Sequence, residues 1–250
     1  MRSLLFFLSL LISGGIYSQF VFKPAIDIDL KSPAGVYYDQ AQKRYFVASE
    51  HRVFVLDENG KIVKQVDVPG AYDLKALTKV GPQFYLVDES LRKVFVLKAD
   101  DLSIQKEFIV PYSGPIERGF ETIFFNPIRE TITLITEKSP TVIIELNYEM
   151  KKTNQEVMKG FREISDAVFA QNFIWVLSDE LHTVYKLDPS TYKVIQEWNV
   201  PVLNPEGICL MNNQKMEFVI VSNKGQKLHF ISFKDKQVDG LDEEQNKKLF

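Results

Sequence analysis

Along its 250 residues the chain repeats one pattern five times: an entry residue, then short apolar runs separated by turn signals. The first unit reads PAGVYYD (33–39), YFVASE (45–50) and RVFVLDENGKIVKQVDVP (52–69). The second reads DLKALTK (73–79), FYLVDES (84–90) and KVFVLKADDLSIQKEFIVP (93–111). GFETIFFNP (119–127), ITLITEK (132–138) and TVIIELN (141–147) make the third. ISDAVFA (164–170), IWVLSDE (174–180) and TVYKLDPSTYKVIQEWNVP (183–201) make the fourth. The fifth is NPEGICL (204–210), FVIVSNK (218–224) and KLHFISF (227–233), and it stops one strand short. With Ala34, Lys75, Glu121, Asp166 and Glu206 taken as equivalent, the intervals are 41, 46, 45 and 40 residues. That is the period of a four-stranded propeller blade. The pattern predicts an all-β, five-bladed β-propeller spanning 19–235.

The missing outer strand of the fifth unit has a candidate at the other end of the chain. Ala25 to Leu30 alternates like Lys64 to Pro69, so the N-terminal strand is expected to complete the last blade and close the ring. A β-sandwich would require neither the regular interval nor the split unit.

The segment ahead of that strand reads as a leader. Arg2 is followed by an apolar run from Leu4 to Ile12, and Ser13, Gly14 and Gly15 end it, with Ser18 as a cleavage position. Residues 1–18 are therefore expected to be a signal peptide, placing the protein in the periplasm or outside the cell. An uncleaved N-terminal anchor is the alternative, and no membrane span is expected once the leader is removed. The tail at 236–250 is charged and reads as a solvated terminus. Formal net charge is −3 with no basic stripe, which argues against a nucleic-acid partner. Cys209, the single cysteine, lies in an apolar run and reads as an inert buried thiol.

Antiparallel pairing within a blade brings the start of the inner strand and the end of the second strand to the same face. Two columns then meet near the channel. One is Ala34, Lys75, Glu121, Asp166 and Glu206; the other is Glu50, Glu89, Glu137, Asp179 and Asn223. Glu121, Asp166 and Glu206 come from consecutive units and are the candidate ligands of a Ca²⁺ or Mg²⁺ ion, because crowded carboxylates call for a cation and hard cations take oxygen ligands. The competing reading has these acids bonded to backbone N–H groups in the loops. Lys75, Glu50, Glu89, Glu137, Asp179 and His182 are candidate ligand-binding residues on the same face. Zinc is disfavoured by three scattered histidines. No nucleotide-binding glycine motif is present, and no catalytic residue can be named.

The set PAGVYYD, YLVDES, GFETIFFNP, WVLSDELHTVYKLD and NPEGICL resembles the SdiA-regulated (YjiK-like) propeller family across Ile26 to Phe233. The resemblance implies an exported or membrane-anchored bacterial propeller without a defined activity. The acid ahead of the family's inner strands is matched by Glu206-Gly207, in part by Glu121-Thr122 and Asp166-Ala167, and not by Lys75-Ala76. More distantly, the blades are similar to gluconolactonase-like and strictosidine-synthase-like propellers, which implies channel carboxylates holding Ca²⁺ and hydrolysing lactones or esters. Two functions follow as expectations. One is a propeller that binds a small polar ligand or a partner's loop over its channel, with Ca²⁺ as candidate ion. The other is a Ca²⁺-dependent lactonase, esterase or phosphoesterase.

Overall fold

A computed structural model describes residues 20–115 and 118–233. The expected leader at 1–18 and tail at 236–250 lie outside the described residues. Twenty strands fold into five four-stranded antiparallel sheets. The chain opens with β1 (Phe20–Asp27). The first blade is β2 (Pro33–Asp39), β3 (Arg44–Ser49), β4 (Arg52–Leu56) and β5 (Ile62–Asp67). The second is β6 (Leu74–Val80), β7 (Gln83–Asp88), β8 (Lys93–Lys98) and β9 (Ile104–Ile109). The third is β10 (Phe120–Asn126), β11 (Thr131–Thr136), β12 (Val142–Leu146) and β13 (Lys152–Val157). The fourth is β14 (Asp166–Ala170), β15 (Phe173–Ser178), β16 (Thr183–Leu187) and β17 (Val194–Asn199). The fifth is β18 (Pro205–Asn212), β19 (Glu217–Ser222) and β20 (Lys227–Phe233), with β1 as its fourth strand. The expected propeller and its closure by the N-terminus are both present.

The closing strand sits several residues earlier than its alternation suggested. Phe20 pairs with Phe233 and Asp27 with Lys227, and pairing then ends after the Ile28 N–H bonds the Gln226 carbonyl at 2.8 Å. Ile28 and Leu30 turn inward instead and pack with Val47, Val219 and Leu228 between the fifth and first blades.

Burial follows the radial order of the strands. Sheets stack face to face around the ring, so second and third strands are covered on both sides. β11 and β12 are buried along their whole length, whereas the outer β5, β9 and β13 are largely exposed. Five apolar seams result, one per blade interface. In the seam between the fourth and fifth blades, Trp175 stacks on Trp198 with centroids 5.3 Å apart and packs against Phe218 and Phe233. Cys209 is buried as expected, and its Sγ accepts the Tyr38 N–H at 3.2 Å.

The turn between third and outer strands explains the recurring Leu-Asp. Asp57 Oδ1 accepts the N–H groups of Asn59 and Lys61, and Asp188 Oδ1 those of Ser190 and Thr191. These side-chain caps close both turns with bonds to neighbours in the same loop. Gly60, at φ +80°, is required in the first of them: a Cβ there would stand 2.7 Å from the Ile26 side chain.

Candidate functional site

Strand pairing places the two columns at one end of the channel, hereafter the acidic mouth. Leu74 pairs with Asp88, Phe120 with Thr136 and Pro205 with Ser222, so each inner strand starts where its neighbour ends. In each of these three blades the register shifts over the next residue. Lys75, Glu121 and Glu206 are the residues left unpaired. A bulge of this kind re-aims one side chain out of the sheet's alternation. It is the backbone device that turns these residues toward the mouth.

Their charges meet there. Among the described residues, Glu89, Glu121 and Glu137 each offer a carboxylate oxygen within 4.8 Å of the others. Lys75 Nζ lies 3.1 Å from Glu89 and 3.6 Å from both Glu121 and Asp73. On the far side of Glu137, Lys138 Nζ bridges Glu137 at 2.9 Å and Glu163 at 3.1 Å. Burial raises the Glu121 carboxyl well above the usual range; Lys75 opposes this, and Glu89 adds to it. Burial works against the Lys75 ammonium, but Glu121, Glu89 and Asp73 outweigh it and hold the lysine charged. Glu206 is raised to about 7, by burial first and by Asp179 second, with Lys75 and Asn204 acting the other way.

Asp166 does not join this group. In the fourth blade Asp166 pairs with Leu177, as Thr122 pairs with Ile135 and Gly207 with Val221. The residue equivalent to Lys75 and Glu121 is therefore Ser165, one position earlier than the sequence alignment placed it. A single residue reverses the side of a strand that a side chain occupies, so Asp166 points between blades. Its Oδ1 accepts the Thr122 hydroxyl and the Ala167 N–H, each at 2.8 Å, and its Oδ2 accepts the Ile208 N–H at 2.9 Å. Three inner strands are thereby tied together. Burial raises Asp166 to about 7 in spite of these bonds. The loop-bonding alternative describes Asp166 well, with the difference that it bonds inner strands.

The row that contains Asp166 forms a waist. It consists of Gly35, Ala76, Thr122, Asp166 and Gly207, all buried. A Cβ on Gly35 would stand 2.5 Å from Ala76 Cα, and one on Gly207 2.5 Å from the Ala34 carbonyl oxygen. The inner strands approach so closely here that two blades need glycine.

The sequence profile of the SdiA-regulated family matches residues 23–199. The chain belongs to that family. No curated protein matches it in sequence. Among solved structures, glutaminyl cyclase of Myxococcus xanthus is similar with a TM-score of 0.68 and 12% identity, covering 86% of this chain and 96% of its own. The β-propeller domain of Cps50 (Swd1) from Myceliophteria thermophila gives 0.52 at 7% identity, covering 85% and 99%. A chain of a nidogen/laminin complex gives 0.51 at 14% identity, covering 69% and 65%. At these identities the likeness is one of fold.

In this SdiA-regulated propeller the remaining candidates are spread around the mouth. Glu50 is half-exposed and pairs with Lys31 at 3.1 Å. Asp179 and Glu206 share the Asn204 amide, at 3.0 and 2.7 Å. His182 donates from Nδ1 to the Val202 carbonyl at 2.8 Å, which ties a turn to the loop entering the fifth blade. Asp73, Glu163 and Asn204 were missed by sequence reasoning, although each lies two residues before Lys75, Ser165 and Glu206. The same offset from each entry residue was the signal that could have found them.

Proposed function

We propose that the protein binds a cation-bearing ligand at the acidic mouth, outside the cytoplasm. The ligand is a small molecule or a partner's loop carrying an ammonium or guanidinium group, or a Ca²⁺ or Mg²⁺ ion. The supporting observation is Glu121, buried beside Glu89 and Glu137 with Lys75 as its close cation. Carboxylates so placed are stabilised by further positive charge. For a hard ion the oxygens of Glu89, Glu121 and Glu137 are the candidate donors, and Lys75 would have to withdraw from them. The leader-like residues 1–18 support the location.

Thermal melts with CaCl₂, MgCl₂, arginine amide and EDTA test this. At least one cation should raise Tm in the wild type and not in Glu121→Gln. Melts that no cation moves would overturn the proposal.

A second reading, hydrolysis or another acid–base reaction at the same mouth, is favoured by Glu121 and Glu206, both raised toward proton-holding values. Turnover of lactones, esters, phosphoesters or glutaminyl peptides that disappears in Glu121→Gln would support it over simple binding.

A further inference from the structure

Past the waist the inner strands line a second cavity of about 170 Å³ that the acidic mouth does not include. The residues lining it include Tyr37, Phe125 and Phe169, with Leu77, Val168 and Thr78. The strands that form it are the inner strands past the waist, so it opens away from the acidic mouth.

Three observations define what could sit there. Protein interiors fill roughly three-quarters of their space, which makes this volume suitable for a molecule of one ring with a small substituent. Neither the Tyr37 nor the Thr78 hydroxyl makes a hydrogen bond to another described residue, although Tyr37 is packed edge-on to Phe84 with centroids 5.4 Å apart. Burial pushes the Tyr37 hydroxyl up to about 12, with Cys209 and Asp39 adding to it, so it remains a donor. At the rim, the Lys79 ammonium is paired with Asp39 at 2.6 Å, which leaves no net charge for an ionic ligand to answer.

We infer that this chamber is a second binding site, for a neutral one-ring aromatic molecule whose carbonyl-type acceptor takes the free hydroxyls of Tyr37 and Thr78. The two ends of the channel would then select opposite chemistries, a cation above the waist and a neutral ring below it. The inference does not depend on the function proposed for the acidic mouth.

Benzamide is a suitable probe, with benzoate and benzylammonium as charged controls, followed by saturation-transfer NMR on the full chain. Benzamide should bind and benzoate should not. Val168→Phe, which fills the chamber, should weaken benzamide binding at least about tenfold. Tyr37→Phe should weaken it by roughly two- to tenfold, the range of one hydrogen bond. Glu121→Gln, at the other mouth, should leave it unchanged. If Val168→Phe does not fold, Thr78→Val supplies the same test by removing a donor at constant shape. No benzamide binding at millimolar concentration would overturn the inference. So would binding that these chamber substitutions leave intact, or binding lost in Glu121→Gln.

Discussion

Glu121 and Asp166 are both buried acids on the inner strands of adjacent blades, and the structure uses them in opposite ways. Asp166 at the waist is satisfied by three donors from three strands. Glu121 at the mouth stands among other carboxylates, with an ammonium 3.6 Å away. The first arrangement holds blades together; the second gathers carboxylates in one place. What separates them is one residue of register. Glu121 occupies a bulge and Asp166 does not. Burial alone therefore does not separate the two carboxylates; the donors around each one do.

The contrast makes its largest prediction at Asp166. Asp166→Ala leaves the Thr122 hydroxyl and the Ile208 N–H buried without that acceptor, and should cost about 3 kcal/mol in chemical denaturation. Glu121→Gln replaces a buried carboxyl by an amide of the same shape while Lys75 keeps Glu89 and Asp73, and should change stability by less than about 1 kcal/mol. Equal losses at the two positions would erase the distinction between waist and mouth.

Next in size is the close approach of the blades. Gly207→Ala puts a methyl group against the Ala34 carbonyl and should destabilise by about 2 kcal/mol, read as a lower denaturation midpoint. Gly81→Ala, where a Cβ would meet nothing within 4 Å but φ is +57°, should cost about 1 kcal/mol from backbone strain alone.

A separate expected effect is on pH dependence. Asp166 and Glu206 each hold a proton more tightly folded, up to about 7, than at their ordinary values of 3.8 and 4.5. Between those values and pH 7 the folded state binds more protons, so stability from these groups is full at low pH and falls as pH rises toward 7. Unfolding free energy should decline between pH 5 and pH 7, by roughly 2 kcal/mol for Glu206, and level off above that. Glu206→Gln should flatten its share of the slope, and a slope unchanged in that variant would remove Glu206 as a source.

Much of this architecture was legible because a propeller blade writes itself into the chain as a period. Turn residues such as Asp57 and Asp188 act on neighbours two to four positions away, so their effect is visible locally. The gathering of Glu89, Glu121 and Glu137 followed from antiparallel pairing applied to those periods. The error at Asp166 arose because Ser165 and Asp166 both sit near the start of a strand, and the acid looked like the match for Glu121. A bulge is a property of how two strands hydrogen-bond, and it leaves no mark in the spacing of apolar residues.

The repeat, the split last blade and the face on which the acids collect were determined by the sequence itself, since each rests on periodicity and on chain direction alternating from strand to strand. Which acid meets a lysine, which binds blades together and where the inner strands come closest were decided only in three dimensions. Those outcomes depend on the contact between one blade and the next, and the residues that make it lie some forty positions apart in the chain.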